Sequence, residues 1–179
     1  MTISTFRNVT PSLGARVYVD PSAVVIGHVS IGDDSSIWPT AVVRGDVNSI
    51  TIGARTSIQD GSVLHVTHDG IHRPGGRALI IGSDVTVGHR VVLHACTVGN
   101  KCLVGMGSIL LDDVVVEDLV MIGAGALVSP GKKLESGGLY VGSPARRARD
   151  LKQDEIEFLS YSAAHYVKLK DEYLAALKQ

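Results

Sequence analysis

The chain of 179 residues has little that would tie it to a polyanion, a membrane or an oxidising compartment. Its 17 Lys and Arg nearly balance 18 Asp and Glu, the formal charge is −1, and no basic run occurs. A surface so balanced makes no field to hold nucleic acid or an anionic bilayer. Only two cysteines are present, Cys96 and Cys102, too few for a disulfide framework. The N-terminal "MTISTFRNVTPSLG" lacks the charged flank and apolar run of a secretory leader, so a reducing, cytoplasmic setting is expected. The most apolar stretch, "ILLDDVVVEDLVMIGAGALV", contains Asp112, Asp113, Glu117 and Asp118. Each would cost roughly 2.5 to 3.5 kcal/mol at a bilayer centre, which excludes a span. What remains is 45% hydrophobic residues in a chain long enough for one well-buried core.

Those apolar residues are periodic. An aliphatic residue recurs every six positions at Val25, Ile31, Ile37 and Val43, then at Ile52, Ile58 and Leu64, then at Ile81, Val87 and Leu93. After one five-residue step the series runs through Val98, Val104, Leu110, Val116, Ile122, Val128 and Leu134, often with glycine next. A period of six fits neither a helix nor a long alternating strand; it fits strands of two to four residues joined by tight turns. Such hexapeptide repeats resemble the left-handed parallel β-helix, a triangular prism in which three hexads make one coil. The handedness belongs to the resemblance and runs against the usual crossover rule. The fold class expected is mainly β: a left-handed parallel β-helix with a C-terminal α-helix.

Glycine disappears after about residue 149, and Ile156, Leu159, Ala163, Tyr166, Leu169, Tyr173 and Leu177 fall at helical spacing. Asp154 and Glu155 suit the start of a helix and Lys178 its end. Residues 1–149 are therefore expected to form the prism, with a protruding loop at about 66–79. Residues 150–179 form an amphipathic helix of the same domain, packed on one face and capping an open edge.

Counting hexads in threes stacks Leu64 under Leu93, so His65 and His94, which follow them, share one face one coil apart. Adjacent strands lie about 4.8 Å apart, close enough for two imidazoles to converge on one ion. His89 follows Val87 by two residues on the preceding hexad and projects from another face. It meets His65 and His94 only if prisms associate about a three-fold axis. Three imidazoles without a fourth protein ligand describe a catalytic zinc site. His28, His72 and His165 show no such alignment.

The same columns extend the site. Arg44 follows Val43 as His65 follows Leu64, Asp46 comes two residues later, and Gln59 and Asp60 lie in "SIQDG". An arginine between two carboxylates reads first as structural ion pairing at an interface. The uncharged amide of Gln59 can hydrogen-bond a nucleophile or a substrate oxygen near a metal without neutralising it.

At this point "VVRGDV", "SIQDGSVLH", "VGHRVVLHAC", "VGMGSILLDDVVVEDLVMIGAGALV" and "LYVGSPARRAR" together resemble the γ-class carbonic anhydrase family, over roughly residues 10 to 175. The resemblance implies a homotrimeric metal-dependent lyase with Zn2+, or Fe2+ or Co2+, at each subunit interface, bound by His65, His89 and His94. It implies reversible hydration of carbon dioxide to bicarbonate by a metal-bound hydroxide. Arg44 and Asp46 then link subunits beside the metal, Gln59 and Asp60 form the family's Gln-Asp pair, and Tyr140 matches a tyrosine near the pocket. The family glutamate thought to shuttle protons is missing; "VTHDG" stands in its place, and His68 has the pKa range for that work. Val47 replaces the acidic residue after Arg-Gly-Asp. Two other classes compete: an acyltransferase or acyl-CoA thioesterase, with His68 or His72 as base, and a weakly active metal-binding trimeric scaffold.

Overall fold

The computed structural model describes residues 2–177. Most hexads become strands of two or three residues that pair in parallel with the strand one coil before and one coil after. The result is a parallel β-solenoid with three interior columns. Val25, Val43, Leu64, Leu93, Leu110 and Val128 stack as one. Ile31, Ile52, Ile81, Val98, Val116 and Leu134 make the second. Val19, Ile37, Ile58, Val87, Val104, Ile122 and Tyr140 make the third. Apart from Val19, every member is at most 5% exposed. Full burial of each aliphatic side chain stabilises by roughly 1.5 to 3 kcal/mol, but only when the neighbouring coils are present to bury it.

The corners between faces need a residue at positive φ, and the chain supplies it repeatedly without glycine: Arg55, Asp84, Arg90, Ala95 and Asp113 lie between 48° and 61°. Arg90 directly follows His89 and Ala95 directly follows His94, so His94 ends its strand at a corner and His89 lies in the turn two residues past the strand Thr86–Val87. The tight turn at Ala95 also absorbs the single five-residue step of the repeat.

The three faces differ in what they present outward. On the first, Val24, Val42, Val63, Val92, Ile109 and Leu127 point out in one unbroken ladder. On the second the outward series is mixed: Ser30, Thr51, Ile80, Thr97, Val115 and Lys133. The third carries Tyr18, Ser36, Ser57 and Thr86, and the helix Gln153–Ala176 lies along it. Asp154 and Glu155 stand in its first turn, and Lys178 lies outside the described residues. Among those residues no helix is long and apolar enough to cross a membrane.

The helix does not cap the sheet edge. Beyond a turn at Gly142 (φ 98°), the strand Ala145–Asp150 doubles back antiparallel on Gly138–Gly142 and closes that edge with backbone hydrogen bonds. The helix is docked instead by an aromatic cluster, with Tyr173 packed on Trp38 (5.1 Å between centroids) and on Tyr18 (5.4 Å). Beside it Lys170 is 0% exposed and pairs with Asp34 at 3.0 Å and Asp171 at 2.5 Å. Asp34 is held down to about 2, foremost by the Arg16 guanidinium and then, against burial, by Lys170.

A lysine buried this deeply cannot lose its main partner cheaply. Asp34→Asn is expected to destabilise the fold by about 2 to 3 kcal/mol, below the full cost of orphaning a buried charge because Asp171 remains. The check is urea unfolding at a series of pH values. Asp34 has a lower pKa folded than unfolded, so its contribution is complete above its ordinary pKa of 3.8 and is lost as pH falls through about 2. The difference between wild type and variant should vanish over that window; equal stability at pH 7 would refute the role.

Candidate metal centre

The strands Val63–His65 and Val92–His94 pair so that His94 lies opposite His65, as the register count predicts. His65 Nδ1 and His94 Nε2 approach to 3.2 Å. Each ring has its remote nitrogen on a carboxylate: His65 Nε2 on Asp46 Oδ1 at 3.0 Å, and His94 Nδ1 on Asp112 Oδ1 at 2.6 Å. Asp46 also takes Arg44 Nη1 at 2.5 Å, and Asp112 accepts from the Thr67 hydroxyl at 2.5 Å.

These contacts shift the titration of three of the groups. Burial lowers the pKa of His65 and the Arg44 charge lowers it further, outweighing Asp46, so the ring is neutral near pH 7. Burial alone would raise Asp46 and Asp112; their hydrogen bonds to His65 and Arg44, and to Thr67 and His94, bring both below the usual carboxylate range. Two imidazoles whose near nitrogens converge, each backed by a carboxylate on its far nitrogen, are the arrangement found around metal-ligating histidine. Their separation also suits an ion, because the N···N edge of a tetrahedron with bonds of about 2.0 to 2.1 Å is about 3.3 Å.

His89 stands at a different corner, with Asp60. Because Ile58 pairs with Val87, Asp60 lies one coil below His89, and its carboxylate meets His89 Nδ1 at 2.9 Å. Gln59, only 3% exposed, sits beside them. Two clefts open at this corner. One of about 570 Å3 is lined by Thr40, Asp60, His89 and Arg90. The other, of about 480 Å3, runs under the helix past Gln59, His89, Met106, Met121, Phe158 and Tyr166.

The chain thus carries two separate groups: His65, His94, Arg44 and Asp46 at one corner, His89, Gln59 and Asp60 at another. Among the described residues no three His, Cys, Asp or Glu side chains of one chain gather as a metal-binding group. Arg44 pairs with Asp46 alone and does not bridge to Asp60. His68 is exposed at the base of the loop, directly after Thr67. The resemblance put Tyr140 near the pocket, but the chain does not bring it to any of the histidines. It ends the third interior column, and its hydroxyl accepts from the Glu135 amide (2.7 Å) and Arg147 Nη1 (3.2 Å).

Two residues at these corners escaped the sequence reading. Asp112 stood out only as an interruption of an apolar stretch; Leu93 pairs with Leu110, so the count leads from His94 to Leu111 and Asp112 falls one residue past it. Tyr166 was visible only as a packing residue of the helix; its hydroxyl interacts with Gln59, and burial, with the nearby Asp60 charge, raises its pKa.

A solenoid of hexads carrying paired histidines at one corner and a lone histidine at another defines a class of hexapeptide-repeat protein, and the comparisons give its family. The bacterial transferase hexapeptide (six repeats) family matches residues 10–45 and 95–130. The chain is 60% identical over 169 residues to protein YrdA of Escherichia coli (strain K12), covering 94% of this chain and 92% of that one. It is 46% identical over 162 residues to the mitochondrial gamma carbonic anhydrase 2 of Arabidopsis thaliana, covering 89% of this chain and 57% of the longer plant protein. Identity to the carbonic anhydrase of Geobacillus kaustophilus (strain HTA426) is 40% over 174 residues, 97% of this chain and 91% of that one. The crystal structure of a hexapeptide transferase family protein from Anaplasma phagocytophilum superposes with a TM-score of 0.89 at 40% identity, covering 96% and 98% of the two chains. The chain belongs to the γ-class carbonic anhydrase-like family of hexapeptide-repeat proteins.

Cys96, two residues from His94, and Cys102 are free and 2% exposed, and burial pushes both thiols up to about 12. Neither presents a thiolate near neutral pH. The native protein should therefore resist iodoacetamide at pH 8 for hours and take up two equivalents only on unfolding, as counted by mass spectrometry. Rapid labelling of the native state would contradict that placement.

Proposed function

We propose that the protein catalyses reversible hydration of carbon dioxide at a divalent metal, Zn2+ in the first instance with Fe2+ or Co2+ as alternatives, shared between subunits of a homotrimer in the cytoplasm. His65 and His94 of one chain and His89 of the next would hold the ion. The observation that carries this reading is the pair of carboxylate-backed imidazoles converging to 3.2 Å while the third histidine faces away. The relatives named as carbonic anhydrases support it.

The outward aliphatic ladder supports the assembly. Val63 and Ile109 are 41% and 37% exposed on a face that ends at His65 and His94, and self-association would bury them together. When bound, the metal supplies a water acidic enough to lose its proton near neutral pH. The chain's own groups do the rest. Gln59 orients the oxygen that attacks carbon, and the Arg44–Asp46 pair fixes the His65 ring and the interface. Asp60 fixes His89, and His68 carries the released proton towards solvent. Carbon dioxide and water become bicarbonate and one proton.

Zinc-loaded protein should hydrate carbon dioxide above the uncatalysed rate in stopped flow, and His89→Ala should lose both zinc and activity. Val63→Lys, with all three histidines intact, should sediment as a monomer and also lose zinc, because one chain cannot complete the ligand set. No hydration above background by zinc- or iron-loaded trimer would end the enzymatic reading. Collapse of His89→Ala to monomers would favour the metal-built scaffold.

A second reading is favoured by the groove under the helix. Its volume of about 480 Å3 far exceeds the needs of carbon dioxide, and Leu103, Met106, Met121, Ile122 and Phe158 line it with Gln59 and His89 at one end. Its floor includes the stacked Gly88 and Gly105, where an added Cβ would meet the next coil's backbone at 2.8 and 2.5 Å, so this floor stays open. An acyl chain of an ester or thioester fits such a slot, as a thioesterase or acyltransferase would require. Metal-loaded protein assayed with p-nitrophenyl esters from two to twelve carbons should then prefer intermediate chains over acetate by tenfold or more; a flat profile would dismiss it.

A further inference from the structure

We infer that Asp112 is a positioning residue of the metal centre: it locks the His94 imidazole in its ligating tautomer and ties that ligand to the base of the 66–79 loop. The inference rests on the metal reading above and adds a residue that reading does not contain.

Both carboxylate oxygens of Asp112 are committed. Oδ1 meets His94 Nδ1 at 2.6 Å, and Oδ2 accepts the Thr67 hydroxyl at 2.5 Å. A carboxylate held at both ends cannot swing away from the ring, so the proton stays on His94 Nδ1 and the Nε2 lone pair stays aimed at His65. Asp46 does the equivalent work for His65 but shares its charge with Arg44, 2.5 Å away. Among the described residues Asp112 hydrogen-bonds Thr67 and His94, and the Arg73 cation acts on it only from beyond hydrogen-bond reach. With no guanidinium hydrogen-bonded to it, as Arg44 is to Asp46, its carboxylate addresses the imidazole directly and strengthens that ring as a donor.

The next residue fastens the loop. Asp113 pairs with Arg73 at 2.6 Å and Arg77 at 2.7 Å, and Arg77 exchanges backbone hydrogen bonds with Thr67 at 3.0 and 2.9 Å. Asp112 and Asp113 thus divide two tasks at one corner. One addresses the ligand through a hydrogen bond; the other addresses the loop through ion pairs. If the metal depends on the carboxylate at His94, only the first should control affinity.

The experiment is a zinc competition titration of the full chain with a chromophoric chelator, comparing wild type, Asp112→Ala, Asp112→Asn and Asp113→Asn. Removing an outer-shell partner costs 10- to 100-fold in metal affinity, and that loss is expected for Asp112→Ala. Asp112→Asn, which keeps an acceptor but no charge, should fall between that variant and wild type. Asp113→Asn should stay within twofold of wild type. Two further readouts separate positioning from loss of fold: unchanged thermal unfolding of metal-free Asp112→Asn, and a shifted visible band of the Co2+-loaded form at saturation. Wild-type affinity in Asp112→Ala, or an equal loss in Asp113→Asn, overturns the inference while leaving the metal reading intact. A wild-type chain that takes up no zinc overturns both.

Discussion

Everything at this site depends on one constraint: parallel backbone pairing holds each coil one strand spacing, about 4.8 Å, from the next in fixed register. In an ordinary domain, residues 29 apart meet only through the accidents of tertiary packing. Here the ladder dictates that His65 and His94 are neighbours and that Asp60 lies beneath His89, and it brings Asp112 to the corner where it meets His94. The interior columns supply the energy, but the register supplies the chemistry. A slip of one residue would send every ligand to the wrong side of the wall.

Because register is so strict, much of the architecture was legible from counting. The six-residue period located the three columns, and the matched positions after Leu64 and Leu93 located the His65–His94 pair. What could not be counted was anything attached across the ladder. Tyr166 reaches Gln59 only because the helix docks on a particular face at a particular height, and no repeat sets that height. Lys170 looks like any surface lysine in a helical sequence; its complete burial is decided by Asp34, 136 residues away. Tyr140, which a local family pattern placed near a pocket, ends an interior column of this chain, a placement that only the stacking of coils decides.

The distribution of polarity over the prism is equally informative. One face is sealed by the helix, one is mixed, and one keeps an aliphatic residue outward on six successive coils. The histidine pair sits at the end of that last face, so the surface with most reason to be covered is also the surface on which the proposed metal site is incomplete. Hydrophobic association and metal coordination would then reinforce each other, each raising the occupancy of the other by mass action.

The loop between His65 and Leu79 carries a separate lesson. It leaves the solenoid after Val66 and re-enters at Leu79, both fully buried, and its base is cross-braced by Thr67, Arg73 and Arg77 onto the Asp112–Asp113 corner. The prism therefore treats it as an interchangeable cassette. Residues can be gained, lost or exchanged at its tip without disturbing the count that places His65 and His94, so evolution can redesign what approaches that pair while leaving untouched what holds it.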